Sequence, residues 1–166
     1  MKGLDLCRGF FFEAAKPIMD QYFPGLTYSA GLIGYGSDVL GYDDAVSRDH
    51  MWGPRFYLFL REENIGLGEA VFAALSEHLP CTYQGFSVNF TEFVDRGPVR
   101  PLIFIRTVDG FWEERLGTSR LTDLCPGDWL AFSEHRLLSL NAGELFADGL
   151  DMRARLTPLR YYPWEV

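Results

Sequence analysis

The residues of this chain whose types and spacing suit chemistry lie together, in Gly36-Ser37-Asp38-Val39-Leu40-Gly41-Tyr42-Asp43-Asp44-Ala45-Val46-Ser47-Arg48-Asp49-His50-Met51-Trp52-Gly53-Pro54. Gly36 follows an apolar run and lets the backbone turn tightly against a ligand, with no Cβ in the way. The Ser37 hydroxyl and the amides that follow such a turn can grip an anion, as the phosphates of a nucleotide require. Eleven residues separate Ser37 from Asp49, which stands just before a second apolar run, so its carboxylate would face the same cleft. A carboxylate beside bound phosphates holds Mg²⁺, which takes oxygen ligands and bridges protein to triphosphate. Two acids two residues apart on a strand would point the same way and both reach the metal. The position two beyond Asp49 is Met51, and a thioether cannot replace a hard anionic oxygen for Mg²⁺.

The neighbouring residues each carry two readings. Asp43 and Asp44 suit a turn or helix cap, the more frequent role of such residues, and Asp44 also suits a second metal contact. Arg48 would clamp a phosphate or pair with Asp43 or Asp44. Ser47 reads as an N-cap or turn residue. His50 would orient Asp49 or serve as a hydrogen-bonded structural histidine, and Trp52 suits the core better than a base-stacking platform. A third acid is expected on a strand beside Asp49. The best candidate strand by pattern, Phe86 to Phe90, offers only Ser87 and Asn89. Asp109 is a displaced alternative, although Asp109-Gly110 reads first as a turn. Arg55 and Arg106 would meet an anionic ligand if they pointed inward, exposed arginines being the rule.

The elements that must position these groups follow from periodicity. Leu6, Phe10, Ala14, Ile18 and Met19 recur at helical spacing from Leu4 to Phe23, with Pro17 set to kink the helix or divide it in two. Within it, Phe10, Phe11 and Phe12 cannot all face inward. Tyr28 to Ile33 and Arg55 to Leu60 read as buried strands. Gly66 to Leu79 reads as a helix with Leu67, Val71, Leu75 and Leu79 on one face, and Phe86 to Phe90 alternates as a strand. Leu102 to Ile105 reads as a strand or short buried segment, and Gly110 to Leu116 and Pro126 to Phe132 as helices. Leu137 to Leu140 and Glu144 to Asp148 have no clear period. One mixed α/β (α+β) domain over residues 1–166 accounts for the pattern.

The spacing Gly36-Ser37, eleven residues, Asp49 resembles the signature of the polymerase-beta-like nucleotidyltransferase superfamily. There a Gly-Ser or Gly-Gly turn precedes an acid-x-acid pair. The longer string Gly41-Tyr42-Asp43-Asp44-x-x-Ser47-Arg48-Asp49-His50 is similar to a narrower, uncharacterised bacterial family, domain of unknown function four-zero-three-seven. The likeness extends to the opening helix, to Thr107-Val108-Asp109 and to Tyr161-Tyr162-Pro163, but only residues 36–54 are specific. The resemblance implies a mixed sheet flanked by helices and Mg²⁺-dependent transfer of a nucleoside monophosphate from a nucleoside triphosphate to an acceptor. On it, Gly36, Ser37 and Arg48 bind the nucleotide, Asp49 is catalytic, and Asp49 and Asp44 hold the metal. Met51 departs from the family's second acid, which favours a degenerate, non-catalytic alternative. The family's helical region after the Tyr-Tyr-Pro segment is missing here: either the chain is truncated or a second subunit supplies that wall.

Composition narrows the partners. The formal net charge is −8, and an acidic surface repels a phosphate backbone, so a small molecule or a protein is favoured as acceptor over a nucleic acid. Cys7, Cys81 and Cys125 are odd in number, widely spaced and outside any metal-ligand pattern, as reduced thiols in a cytoplasmic protein would be. No apolar run is long enough to span a bilayer, and no membrane partner is expected.

Overall fold

The computed structural model describes residues 2–34, 39, 53–89 and 98–160. It is a mixed α+β fold. Helix α1 (Gly3–Phe10) buries Gly3, Leu6, Cys7 and Phe10 at three- and four-residue spacing, the stripe that lets a helix lie on a core. It runs into a π-helical turn, Phe11–Ala15, where the Lys16 amide donates to the Phe11 carbonyl, and then into α2 (Lys16–Tyr22). Proline lacks an amide proton and its ring crowds the carbonyl four residues back. The wider turn directly before Pro17 absorbs both effects, so the helix divides as its sequence predicts. Phe10 and Phe11 both pack on Phe56, with ring centroids 6.0 Å and 5.4 Å away, while Phe12 is left 45% exposed.

A four-stranded sheet follows, in the order β5 (Leu102–Thr107), β2 (Arg55–Leu60), β1 (Tyr28–Leu32), β6 (Glu144–Asp148). Strand β1 is antiparallel to both β2 and β6, and β2 is parallel to β5. Every residue of β2 is buried, because helices cover both faces of the sheet. Phe56, Leu58 and Leu60 join the core that holds Phe10, Phe11, Met19, Val71 and Leu75. Tyr57 and Phe59 join the opposite core with Phe111, Trp112, Leu140 and Met152. Period-two alternation sends successive side chains to opposite faces, and each buried Phe or Leu contributes about 1.5–3 kcal/mol.

Helix α3 (Gly68–His78) is preceded by a 3₁₀ turn over Glu62–Leu67. Val71, Leu75 and Leu79 are buried as the pattern predicts, but Leu67 is 42% exposed, since the 3₁₀ turn rotates it off the helical stripe. The predicted strand at Phe86–Phe90 is shorter and elsewhere. Strand β4 (Phe86–Ser87) pairs only with β3 (Thr82–Tyr83) in a hairpin apart from the main sheet. Gln84 and Gly85, both at positive φ, close it as a type I′ turn. Phe90 lies outside the described residues.

Helix α4 (Val108–Leu116) starts earlier than predicted, because Thr107 accepts a hydrogen bond from the Gly110 amide and caps it. Asp109 is therefore a first-turn helix residue and not a turn residue. Helix α5 (Pro126–Ala131) is as read. The segments without a clear period become α6 (Glu134–Ala142) and β6, and α7 (Met152–Leu156) follows. Among the described residues no helix is long and apolar enough to cross a membrane.

Candidate functional site

Antiparallel pairing of β1 with β2 sets Gly31 opposite Tyr57 and Tyr28 opposite Leu60. The chain therefore leaves β1 at Ile33 and Gly34 and re-enters β2 through Gly53 and Pro54 at one and the same end of the sheet. Gly36, Ser37, Asp44, Arg48 and Asp49, with Asp43, Ser47, His50, Met51 and Trp52, belong to this connection and lie outside the described residues. Val39, which is described, is buried in the α1–α3 core. Both ends of the connection are tethered. The Cys7 thiol donates to the Gly53 carbonyl over 3.3 Å, and the Gly34 amide donates to the Ser139 carbonyl of α6 over 3.0 Å.

Gly34 has φ +86, and a Cβ there would lie 2.9 Å from Phe111 Cζ. Both the left-handed backbone and the close contact demand glycine. The same point lies 3.4 Å from Arg115 Nε. The Arg115 guanidinium sits 5.8 Å from the Tyr57 ring centroid and 5.7 Å from that of Phe111, and it donates to the Tyr57 hydroxyl. Its side chain is only 18% exposed. Arg55 opens β2 two residues before Tyr57, on the same face by alternation, and is 3% exposed. Arginines are exposed as a rule, but helices on both faces of β2 bury Arg55. Nothing local in Glu113-Glu114-Arg115 points to a glycine on a distant strand, so the placement of Arg115 has no signal in the sequence. Arg106 is the ordinary case, held by Glu114 at 3.2 Å and donating to its neighbour's carbonyl at Ile105.

The carboxylates fall elsewhere. The strands flanking β2, Tyr-Ser-Ala-Gly-Leu and Leu-Ile-Phe-Ile-Arg-Thr, contain none. Ser87 lies in β4, outside the main sheet, and Asn89 bridges Pro101 at the start of β5, one strand away from β2. Glu144 is at the correct end of the sheet but on β6, one strand too far, where Arg8 holds it in a two-pronged ion pair. That pairing raises the Arg8 pKa further above its ordinary value. Asp109 follows the far end of β5, about 16 Å along the strand direction from the level of Arg55, and pairs with Arg155 at 2.8 Å. As a displaced third acid it is at the wrong end of the sheet, within a cleft of about 430 Å³ that also takes in Arg61 and Asp151. Among the described residues no three His, Cys, Asp or Glu side chains converge as a metal site. Asp44 and Asp49, the acids that the motif offers to Mg²⁺, lie outside the described residues.

No family model, no curated protein and no solved structure matches the chain.

Proposed function

We propose that this chain is a nucleotidyltransferase-like domain that binds the triphosphate of a nucleotide at the end of the sheet where β1 leads out and β2 returns. One observation carries the reading: the connection that contains Gly36, Ser37 and Asp49 leaves β1 and returns to β2 at that same end, tethered at Gly34 by α6 and at Gly53 by Cys7. A glycine turn with amides and a nearby cation is the arrangement that anionic tails select. Gly36, Ser37 and Arg48 bind the nucleotide in this reading, and Asp49, with Asp44, would hold Mg²⁺ while a hydroxyl of a small-molecule or protein acceptor attacks the α-phosphate and pyrophosphate leaves.

The non-catalytic form of the same reading is favoured by the composition of the sheet. With Met51 in place of an acid and no carboxylate on either strand flanking β2, the metal would have too few anionic ligands to neutralise a transferring phosphoryl group. Calorimetric titration of the folded chain with ATP and Mg²⁺ tests binding; the expected result is saturable binding, and none at millimolar nucleotide refutes the proposal. Pyrophosphate release by the parent and by Met51→Asp then separates the two forms. Release by the variant alone identifies the natural chain as a binding domain, and comparable release by the parent identifies it as an enzyme.

A further inference from the structure

We infer that the cleft at the carboxyl ends of β2 and β5 binds a small organic cation, an alkyl amine whose ammonium groups are taken by the carboxylates of Asp151 and Glu62. The site lies at the opposite end of the sheet from the connection between β1 and β2, and it does not depend on the nucleotide-binding reading.

Its place follows from topology. Strands β2 and β5 are parallel neighbours and end level, with Leu60 opposite Thr107. From Leu60 the chain passes to α3, whose Val71 and Leu75 share a core with Phe56 and Leu58. From Thr107 it passes directly into α4, whose Phe111 and Trp112 share the opposite core with Tyr57 and Phe59. Where two adjacent parallel strands send their chains to opposite faces, neither connection covers the gap between their carboxyl ends, and that crevice is where open α/β sheets take their ligands. Here the gap is a cleft of about 430 Å³, the size of a small-molecule site and far larger than a single ion needs. Strand β6 points its carboxyl end the same way, and the turn after it closes a third side with Leu150 and Asp151.

The chemistry of the occupant follows from the lining. Leu60, Val108 and Leu150 offer apolar contact to an alkyl chain. Four acids, Glu62, Glu63, Asp109 and Asp151, stand against two arginines, Arg61 and Arg155, so the cleft favours a cation. The arginines are already engaged, Arg155 with Asp109 at 2.8 Å and Arg61 near Glu63 at 3.8 Å, and an anion would have to break those pairs. Among the described residues Glu62 and Asp151 have no cationic partner, and the Asp151 side chain is not spent on capping α7. Among the described residues no three acids converge as a metal site, so the spare carboxylates suit charges joined by an alkyl chain better than a point charge.

The test uses the full chain and titration calorimetry with spermidine, putrescine, butylamine and the neutral butanediol. Spermidine and putrescine are expected to bind saturably, butylamine more weakly and the diol not at all, with affinity falling as NaCl is raised. Asp151 has φ +60, a conformation that asparagine and glycine also adopt readily. Asp151→Asn and Asp151→Gly therefore remove the charge without straining the turn. Each is expected to melt close to the parent and to weaken spermidine by about 3- to 10-fold, as is Glu62→Gln. Glu77→Gln, at an exposed acid of α3 outside the cleft, is expected to bind as the parent does. Absence of saturable spermidine binding at millimolar concentration overturns the inference. So does Asp151→Asn that binds spermidine like the parent, or a Glu77→Gln loss equal to that of the cleft variants, which marks diffuse surface attraction. Displacement of spermidine by an equal charge of Mg²⁺ marks the same and overturns it too.

Discussion

Replacing Gly31 by alanine is expected to destabilise the fold by about 2–4 kcal/mol. Gly31 sits in β1 where it pairs with Leu145 of β6, at a register shift between Ala30 and Gly31. A methyl group there would begin 2.4 Å from the Glu144 carbonyl oxygen and 2.9 Å from Leu145 Cα. Both atoms are backbone, so no side-chain rotation relieves the contact. A relaxed carbon–oxygen contact is about 3.3 Å, and the strands must part by about 0.9 Å to reach it. That stretches ladder hydrogen bonds of about 2.9 Å to about 3.8 Å, beyond their useful range. Loss of two such bonds at about 1 kcal/mol each, with about 1 kcal/mol or more of residual strain, gives the figure above. Urea denaturation followed by circular dichroism should show a lowered midpoint at unchanged slope, and thermal melting a fall of about 6–12 °C. Gly66→Ala is the matched control, having nothing within 4 Å of the added methyl and no left-handed φ; it should stay within about 0.5 kcal/mol of the parent. Gly31→Ala at the parent's stability would refute the geometric reasoning.

Asp148→Ala should cost about 2–4 kcal/mol. The carboxylate accepts from the Met152 and Arg153 amides at the start of α7 and from the buried Ser29 hydroxyl, and the Ser29 oxygen in turn accepts from the Leu150 amide. Asp148→Asn should retain part of this, and a loss below about 0.5 kcal/mol for the alanine variant in urea would count against the network. Tyr28 predicts alkaline sensitivity: burial raises its phenol above the ordinary 10.0, with Lys16 partly opposing. The folded state thus favours the protonated phenol, and its contribution is full below pH 10 and lost as pH rises through the folded value. Unfolding titrations above pH 10 should show a shallower decline for Tyr28→Phe than for the parent; parallel declines would show that Tyr28 titrates normally.

The fold was legible where one physical signal dominated. Arg55–Leu60 carries five consecutive apolar residues after Gly53-Pro54 and reads as a strand by any criterion, and Pro17 announces a divided helix. Strand β6 was not legible, because its terminal acids look like loop residues until Arg8 and the α7 amides are seen to hold them. The alternation of Phe86–Phe90 was a false lead: a two-residue hairpin needs only local pairing, so the pattern carried no information about the main sheet. Asp109-Gly110 misled in the same way, since the Thr107 cap that turns it into helix lies upstream of the dipeptide. At the candidate site, Gly36-Ser37 and Asp49 form a motif in sequence, and those residues lie outside the described ones. The packing of Arg115 against Gly34 was not legible, because a tertiary contact leaves no trace in local spacing.

The enclosure of β2 by helices on both faces has a consequence for the chain before it folds. Phe56-Tyr57-Leu58-Phe59-Leu60 contains no proline, glycine or charge, and such a segment in an unfolded polypeptide is a template for cross-β assembly. Arg55 and Arg61 bracket it, placing like charges that repel neighbouring copies while the strand waits for its covers. The burial that makes β2 the centre of the native molecule thus makes those two arginines its guards during synthesis and refolding.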